Sequence, residues 1–187
     1  MSEEFETTVD AIRERVEPDA AERAALDEAV AQLVSRTERA VAESAVDAEV
    51  VQVGSTARDT WLAGDRDIDL FVCFPPTVER DTLERLGLQI GREVLPDGRE
   101  EFAEHPYVVG EFEGFDVDLV PCYDVPDATA IQSAVDRTPF HTEHLIARLA
   151  ADLAADIRVC KQFLTAIDVY GSDLRTRGFS GYLTELL

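Results

Sequence analysis

The apolar positions of the chain change period several times, and each change marks an element. Residues 4–16 repeat at helical spacing. A second helical stretch spans 18–44, opening at Pro18-Asp19, with Leu26, Val30, Leu33, Val34 and Val41 on one face and alanines filling much of the rest. The period then drops to two. Glu49–Val53 reads as a short strand stopped by Gly54-Ser55, followed by a short helical turn over 56–61. Asp67–Phe74 is the clearest strand and closes at Pro75-Pro76. Helical spacing returns over 78–94 through Leu83, Leu86, Ile90 and Val94. After the Pro96-Asp97-Gly98 turn come strand-like stretches at 100–104, 107–112 and 115–120. A Glu113-Gly114 hairpin joins the last two, and Pro121 ends the third. The pattern predicts an α+β fold in which a mixed sheet of four or five strands is flanked by helices.

Beyond residue 136 the pattern is helical throughout. Thr138-Pro139 places a cap before a proline at the first helical position and starts a helix to about residue 149. A longer helix is expected over about 152–170, stopped by Gly171. Residues 178–187 begin another, capped by Ser180, with Tyr182, Leu183, Leu186 and Leu187 as an apolar stripe. A chain ending inside such a stripe is expected to be a fragment or to pair with something else.

Composition adds a bias. At 187 residues, 45% apolar and 30% charged, the chain can close a core. Its net charge of −22 argues against a generic polyanion binder, because the summed field repels phosphate at a distance. The deficit is local. Residues 1–50 carry 14 acids against 5 bases and 51–136 carry 19 against 6, but 137–187 carry 6 against 6. Lys161 is the single lysine beside 16 arginines, which points to a halophile proteome adapted to molar salt. Three widely spaced cysteines, Cys73, Cys122 and Cys160, read as ordinary buried thiols. No stretch approaches 18 apolar residues, and the N-terminus lacks a signal-peptide pattern, so a soluble cytoplasmic protein with no membrane partner is expected.

The candidate chemistry lies in two stretches. Strand alternation puts Asp67, Asp69 and Phe71 on one face of 67–74, opposite Ile68, Leu70 and Val72. Two like charges on an otherwise apolar strand repel and lose hydration, a cost that a cation would repay. A later strand repeats the device with Asp116 and Asp118. Carboxylates converging from adjacent strands form a hard oxygen site suited to Mg²⁺, and two such ions can activate a hydroxyl and stabilise departing pyrophosphate. Upstream, Gly54-Ser55 opens a turn whose N–H groups and hydroxyl can face a phosphate, with Arg58 one turn on. Only 11 residues separate Ser55 from Asp67, so a phosphate cradle and a metal pair would be adjacent, as nucleotidyl transfer requires.

These stretches resemble the archaeal, class I type of CCA-adding tRNA nucleotidyltransferase, in the DNA polymerase β-like nucleotidyltransferase superfamily. The likeness runs through Val53–Leu62 by way of Gly54-Ser55-Thr56-Ala57-Arg58, then Asp67-Ile68-Asp69 and Ala103-Glu104-His105-Pro106-Tyr107. It continues through Val117-Asp118-Leu119-Val120-Pro121-Cys122-Tyr123, Ser133-Ala134-Val135-Asp136-Arg137-Thr138-Pro139-Phe140-His141 and Arg177-Gly178-Phe179-Ser180-Gly181-Tyr182-Leu183. The resemblance implies template-independent addition of C, C and A to the tRNA 3′ end from CTP and ATP, with a two-ion Mg²⁺ site. It implies catalytic, metal-holding roles for Asp67, Asp69 and Asp118, and nucleotide-binding roles for Ser55, Arg58, His141, Lys161 and Tyr170. It also implies a palm-like catalytic domain over 1–136, the beginning of a helical central domain over 137–187, and a homodimer as the full-length assembly. Family enzymes are more than twice this length, so this portion is expected to bind nucleotide yet handle tRNA poorly. Residue types alone leave open another polymerase β-like transferase, making oligoadenylate or modifying a small molecule, a non-catalytic binding or assembly domain, and, less favoured, a phosphohydrolase.

Overall fold

The sheet is built outward from two parallel strands. In the computed structural model, which describes residues 2–172 and 175–187, β2 (Asp67–Phe74) pairs in parallel with β5 (Phe115–Tyr123). β1 (Glu49–Val53) adds antiparallel to β2, β4 (Pro106–Phe112) antiparallel to β5, and β3 (Arg99–Phe102) antiparallel to β4. The order is β1-β2-β5-β4-β3, a mixed sheet of five strands.

One face of the sheet holds the main core. Ile68, Leu70, Val72 and Phe74 of β2 and Val117 and Leu119 of β5 are buried against α2 (Ala20–Ala42) and α4 (Arg80–Val94), which supply Leu33, Leu83, Leu86 and Ile90. Each such side chain contributes roughly 1.5–3 kcal/mol. α2 starts where the sequence places it. Asp19 accepts from the Ala21 and Glu22 N–H groups while Glu22 accepts from the Asp19 N–H, a reciprocal cap. The opposite face carries a smaller apolar patch of Val53, Phe71, Cys73, Val120 and Cys122. Cys73 and Cys122, paired in register, meet with Sγ atoms 3.1 Å apart as free thiols.

Three expectations are corrected. β5 runs through Pro121 to Tyr123. The Asp116 and Asp124 N–H groups donate toward β2, to Arg66 and Phe74, so odd-numbered residues face β4, and the β4 pairing stops at Leu119. Pro121 therefore lacks a donor where none is needed. Next, α5 (Arg137–Ile146) begins before Thr138, out of a 3-10 turn at Ala134–Asp136. Pro139 falls in the first helical turn, where an N–H has no intrahelical partner. α6 (Ala151–Ala166) ends short of Tyr170. Asp168 takes a positive φ of 57°, and Tyr170 instead forms a β-bridge with Phe179. α7 (Gly181–Leu186) has its expected Ser180 cap, the leucines of its apolar stripe, Leu183, Leu186 and Leu187, are exposed, and Thr184 and Glu185 are buried.

The C-terminal helices are knitted to the rest. α1 (Glu3–Val16) packs on α6, where Arg13 reaches Asp156 at 2.7 Å. Arg158 meets Glu17 at 2.5 Å, and α7 packs on α5 and α6.

Candidate active site

Register brings the expected carboxylates together. Asp69 lies opposite Asp118, and Asp67 opposite Asp116, so four acids share one face of the β2–β5 pair. β1 delivers the Gly54-Ser55 turn to the same place. A Cβ on Gly54, whose φ is +79°, would stand 1.9 Å from an Asp69 carboxylate oxygen. Glycine is required there both by conformation and by this close approach. Ser55 is half-buried beside it, in the one-turn helix α3 (Gly54–Ala57).

The field on this face is negative. Burial, then the Asp118 and Asp67 charges, push the Asp69 carboxyl from its ordinary value of 3.8 up to about 6, with Arg58 pulling slightly back. Asp118 is raised by burial and by Asp67, and Asp67 by burial, Asp65 and Asp116. Among the described residues none of the three carboxylates has a cationic side chain in an ion pair, and no three His, Cys, Asp or Glu side chains stand close enough to hold a metal as placed. The strand register gathers the acids on one face. An all-oxygen set of partly desolvated, unpaired anions fits a hard divalent cation. A cleft of about 280 Å³ opens beside them, lined by Gly54, Asp69, Phe71, Tyr107, Asp118 and Thr138.

Two model matches decide the family. The nucleotidyltransferase domain model matches residues 34–141, and the model of the second domain of tRNA nucleotidyltransferase matches 155–187. The chain belongs to the nucleotidyltransferase family. Members of this family use divalent metal ions. The chain is 64% identical over 187 residues to the CCA-adding enzyme of Haloarcula marismortui, covering all of this chain and 40% of that protein. It is also 64% identical over 179 residues to the CCA-adding enzyme of Halobacterium salinarum, covering 96% of this chain and 40% of the relative. Both come from halophilic archaea. The chain thus spans 40% of the length of the curated relatives it matches. Its polymerase β-like fold is shared with Cid1, an RNA terminal uridylyl transferase, at a TM-score of 0.69 and 19% identity over 99% of this chain and 52% of that one.

Arg58, Lys161 and His141 make their contacts with the C-terminal helices and with Thr60. Arg58 is buried, with Nε donating to Glu185 at 2.7 Å and Nη1 to Thr142 at 3.3 Å. Lys161, expected to bind nucleotide, is 2% exposed, and its three protons go to the Thr60 carbonyl at 2.9 Å, Thr60 Oγ1 at 3.1 Å and Glu185 at 2.8 Å. His141, on α5, stacks on Tyr182 with ring centroids 3.9 Å apart; burial and the Arg137 and Arg58 charges lower its pKa. Tyr170 is half-buried, its hydroxyl pushed up to about 12 by burial and the Glu185 charge, and it lines a cavity of about 670 Å³ with Thr165, Asp168, Arg175 and Thr176.

Glu185, Thr60, Thr142 and Tyr182 escaped the sequence reading. Burial alone would raise the Glu185 carboxyl, yet Lys161 and Arg58 hold it below the usual carboxylate range. Burial lowers the Lys161 ammonium, only partly countered by Glu185. With two cations on one carboxylate, Glu185 stays ionised and the ammonium is the member under strain. A signal for Glu185 existed: a buried lysine needs an acid, and 178–187 contains a single one.

Proposed function

We propose that the protein adds C, C and A to the 3′ end of tRNA from CTP and ATP without a nucleic-acid template. The observation that carries this reading is the in-register Asp69–Asp118 pair packed on the Gly54 turn, in a chain 64% identical along its whole length to a CCA-adding enzyme. Asp67, Asp69 and Asp118 would hold Mg²⁺ in a two-ion site. Bound there, the metal would neutralise triphosphate charge and make the attacking hydroxyl more acidic. Ser55 and Arg58 bind the incoming triphosphate, Arg58 through the guanidinium edge that Glu185 leaves open. His141 and Tyr170 flank the nucleotide, and Lys161 supplies positive charge from behind Arg58. The Asp118 carboxylate, its pKa raised by burial, accepts the proton of the terminal ribose hydroxyl as that oxygen attacks the nucleotide α-phosphorus and pyrophosphate leaves. The same reading takes 1–136 as the catalytic domain and 137–187 as the start of a helical one, and expects a cytoplasmic protein that is a homodimer at full length.

The test is incubation with labelled CTP and ATP, together and singly, and with tRNA lacking its terminal CCA. CTP alone should add two residues, ATP should add one only afterwards, and pyrophosphate should accumulate. Incorporation of UTP in their place, or release of inorganic phosphate, overturns the reading.

A further inference from the structure

Glu185 ends a chain of contacts that starts at the nucleotide turn. Arg58 follows that turn, its N–H donating to the Ser55 carbonyl at 3.3 Å. Its guanidinium is fixed on two sides, by Glu185 through Nε and by Thr142 through Nη1, which leaves Nη2 without a partner among the described residues. Thr60 Oγ1 donates to the same carboxylate at 2.5 Å, and Lys161 closes the cluster. The Glu185 side chain is fully buried, and those of Arg58 and Lys161 are 7% and 3% exposed.

The charge does not balance. In direct ion pairs one carboxylate faces two cations, the Asp65 and Asp69 charges lying outside those pairs, so the hydrogen-bonded cluster itself carries a surplus positive charge, with Arg58 Nη2 as its open donor. Arg58 follows the Gly54-Ser55 turn that packs on Asp69 and reaches Thr142 of α5, so it joins the carboxylate face to the α5 wall. A desolvated surplus cation calls for an anion. A guanidinium held rigidly through Nε and Nη1 presents Nη2 without further loss of side-chain entropy.

We propose that Glu185 is a positioning residue for triphosphate: its carboxylate, delivered by α7, locks Arg58 with Nη2 toward the Gly54-Ser55 turn, while Lys161 keeps the cluster's net charge positive. The helical portion thereby contributes to the nucleotide site without touching the nucleotide. This rests on the nucleotidyl-transfer reading above for its ligand, although the anion site itself does not require tRNA.

The experiment compares the protein with its Glu185→Gln and Glu185→Asp variants, measuring the dissociation constant of inorganic tripolyphosphate with Mg²⁺ and the KM values for CTP, ATP and tRNA. Glu185→Gln, which keeps the shape and removes the charge, should weaken tripolyphosphate binding and raise both nucleotide KM values about tenfold, with the tRNA KM unchanged. Glu185→Asp keeps the charge and draws it back by one methylene, and its effect should be about threefold. A cooperatively melting Glu185→Gln protein with wild-type tripolyphosphate affinity overturns the proposal. Should that variant not fold, wild-type affinity in a folded Glu185→Asp protein does the same. Weakened tripolyphosphate binding, where the full-length protein extends no tRNA end, leaves the positioning role standing and overturns the substrate reading. Unchanged affinity with normal tRNA extension does the reverse.

Discussion

The carboxylate face of β2 and β5 and the buried cluster at Glu185 both hold charge away from bulk water, with opposite balances. The first gathers four acids with no cation in contact among the described residues, and its electrostatics raise Asp67, Asp69 and Asp118. The second sets two cations on one acid and holds that acid down. An excess of negative charge beside an excess of positive charge suits a ligand that is itself divided, a metal on one side and a triphosphate on the other. Either region alone is electrostatically incomplete. The carboxylate face costs stability to maintain and is kept for its chemistry, whereas the Glu185 cluster also ties α7 to the Arg58 loop and α6.

The sharpest break of that comparison is to remove one acid from each region. Asp69→Asn should lower kcat by about a thousandfold, since it removes the most buried of the carboxylates proposed to hold metal. Its thermal midpoint should stay level or rise, because a repelling charge has gone. Steady-state incorporation and a thermal melt, run on the same preparation, check both halves. Substantial Mg²⁺-dependent transfer by this variant would remove Asp69 from the site.

In the second region the order reverses, and stability falls. Glu185→Leu leaves Arg58 and Lys161 as unpaired buried cations and should cost about 4 kcal/mol. Lys161→Met leaves the Arg58–Glu185 pair intact and should cost about 1 kcal/mol. Denaturant melts in molar KCl measure both. Equal losses would show that the two cations do not share the carboxylate unevenly, and the surplus-charge argument would fail.

What the sequence made legible follows the same division. The carboxylate face depends on local alternation, so Asp67, Asp69 and Asp118 could be placed on one side of their strands from spacing, and the turn at Gly54 from its glycine. Strand β2 begins and ends where the alternation does. The Glu185 cluster joins residues 58, 60, 142, 161 and 185, a pairing set by tertiary packing. Hydrophobic periodicity showed the apolar stripe of α7 but not the acid on its other face, for that reason. The leucines of the stripe are exposed, while the ionic demand of Arg58 and Lys161 draws Thr184 and Glu185 inward. Pro121 misled by the same kind of omission, because whether a proline ends a strand depends on which neighbour its missing N–H would have faced. The stacking of His141 on Tyr182 was likewise invisible, since the two lie on separate helices.

The regions also predict opposite responses to acid. The folded Asp69 carboxyl, at about 6, sits above its ordinary value, so the stability it contributes is complete at low pH and is lost as the pH rises through about 6. With divalent metal chelated, lowering the pH from about 7 to about 5 should therefore stabilise the protein by about 1 kcal/mol, a figure discounted for the solvent that reaches this face. The Asp69→Asn variant should lack that gain. Glu185 has the contrary sign: its contribution is present above the ordinary carboxylate value and is lost as the pH falls below it. Acid unfolding at the low end should accordingly survive in Asp69→Asn. A chelated wild-type protein whose stability is flat across the upper window would mean that solvent screens the acids from one another.

Asp116 supplies the finest test of what the acidic face is for. It shares the face with Asp118 and sits opposite Asp67, yet it is exposed, and with Arg99, Glu101 and Tyr107 it lines the groove outside the cleft. If the four acids acted as one undivided negative patch, removing any of them would cost a similar amount. The burial gradient argues otherwise. Asp69 and Asp118 are half-buried and gain most from a cation, whereas Asp116, exposed like Asp67 at the start of its strand, keeps its hydration and gains less. Asp116→Asn should therefore leave kcat within about threefold, and its one clear effect should be on Asp67, whose carboxyl falls back toward the ordinary range when the Asp116 charge is gone. The carboxyl titration of Asp67, followed by NMR in the variant without metal, reads that shift directly. A loss of activity comparable to that of Asp69→Asn would make Asp116 a fourth functional acid and would mean that register, and not burial, selects the working carboxylates.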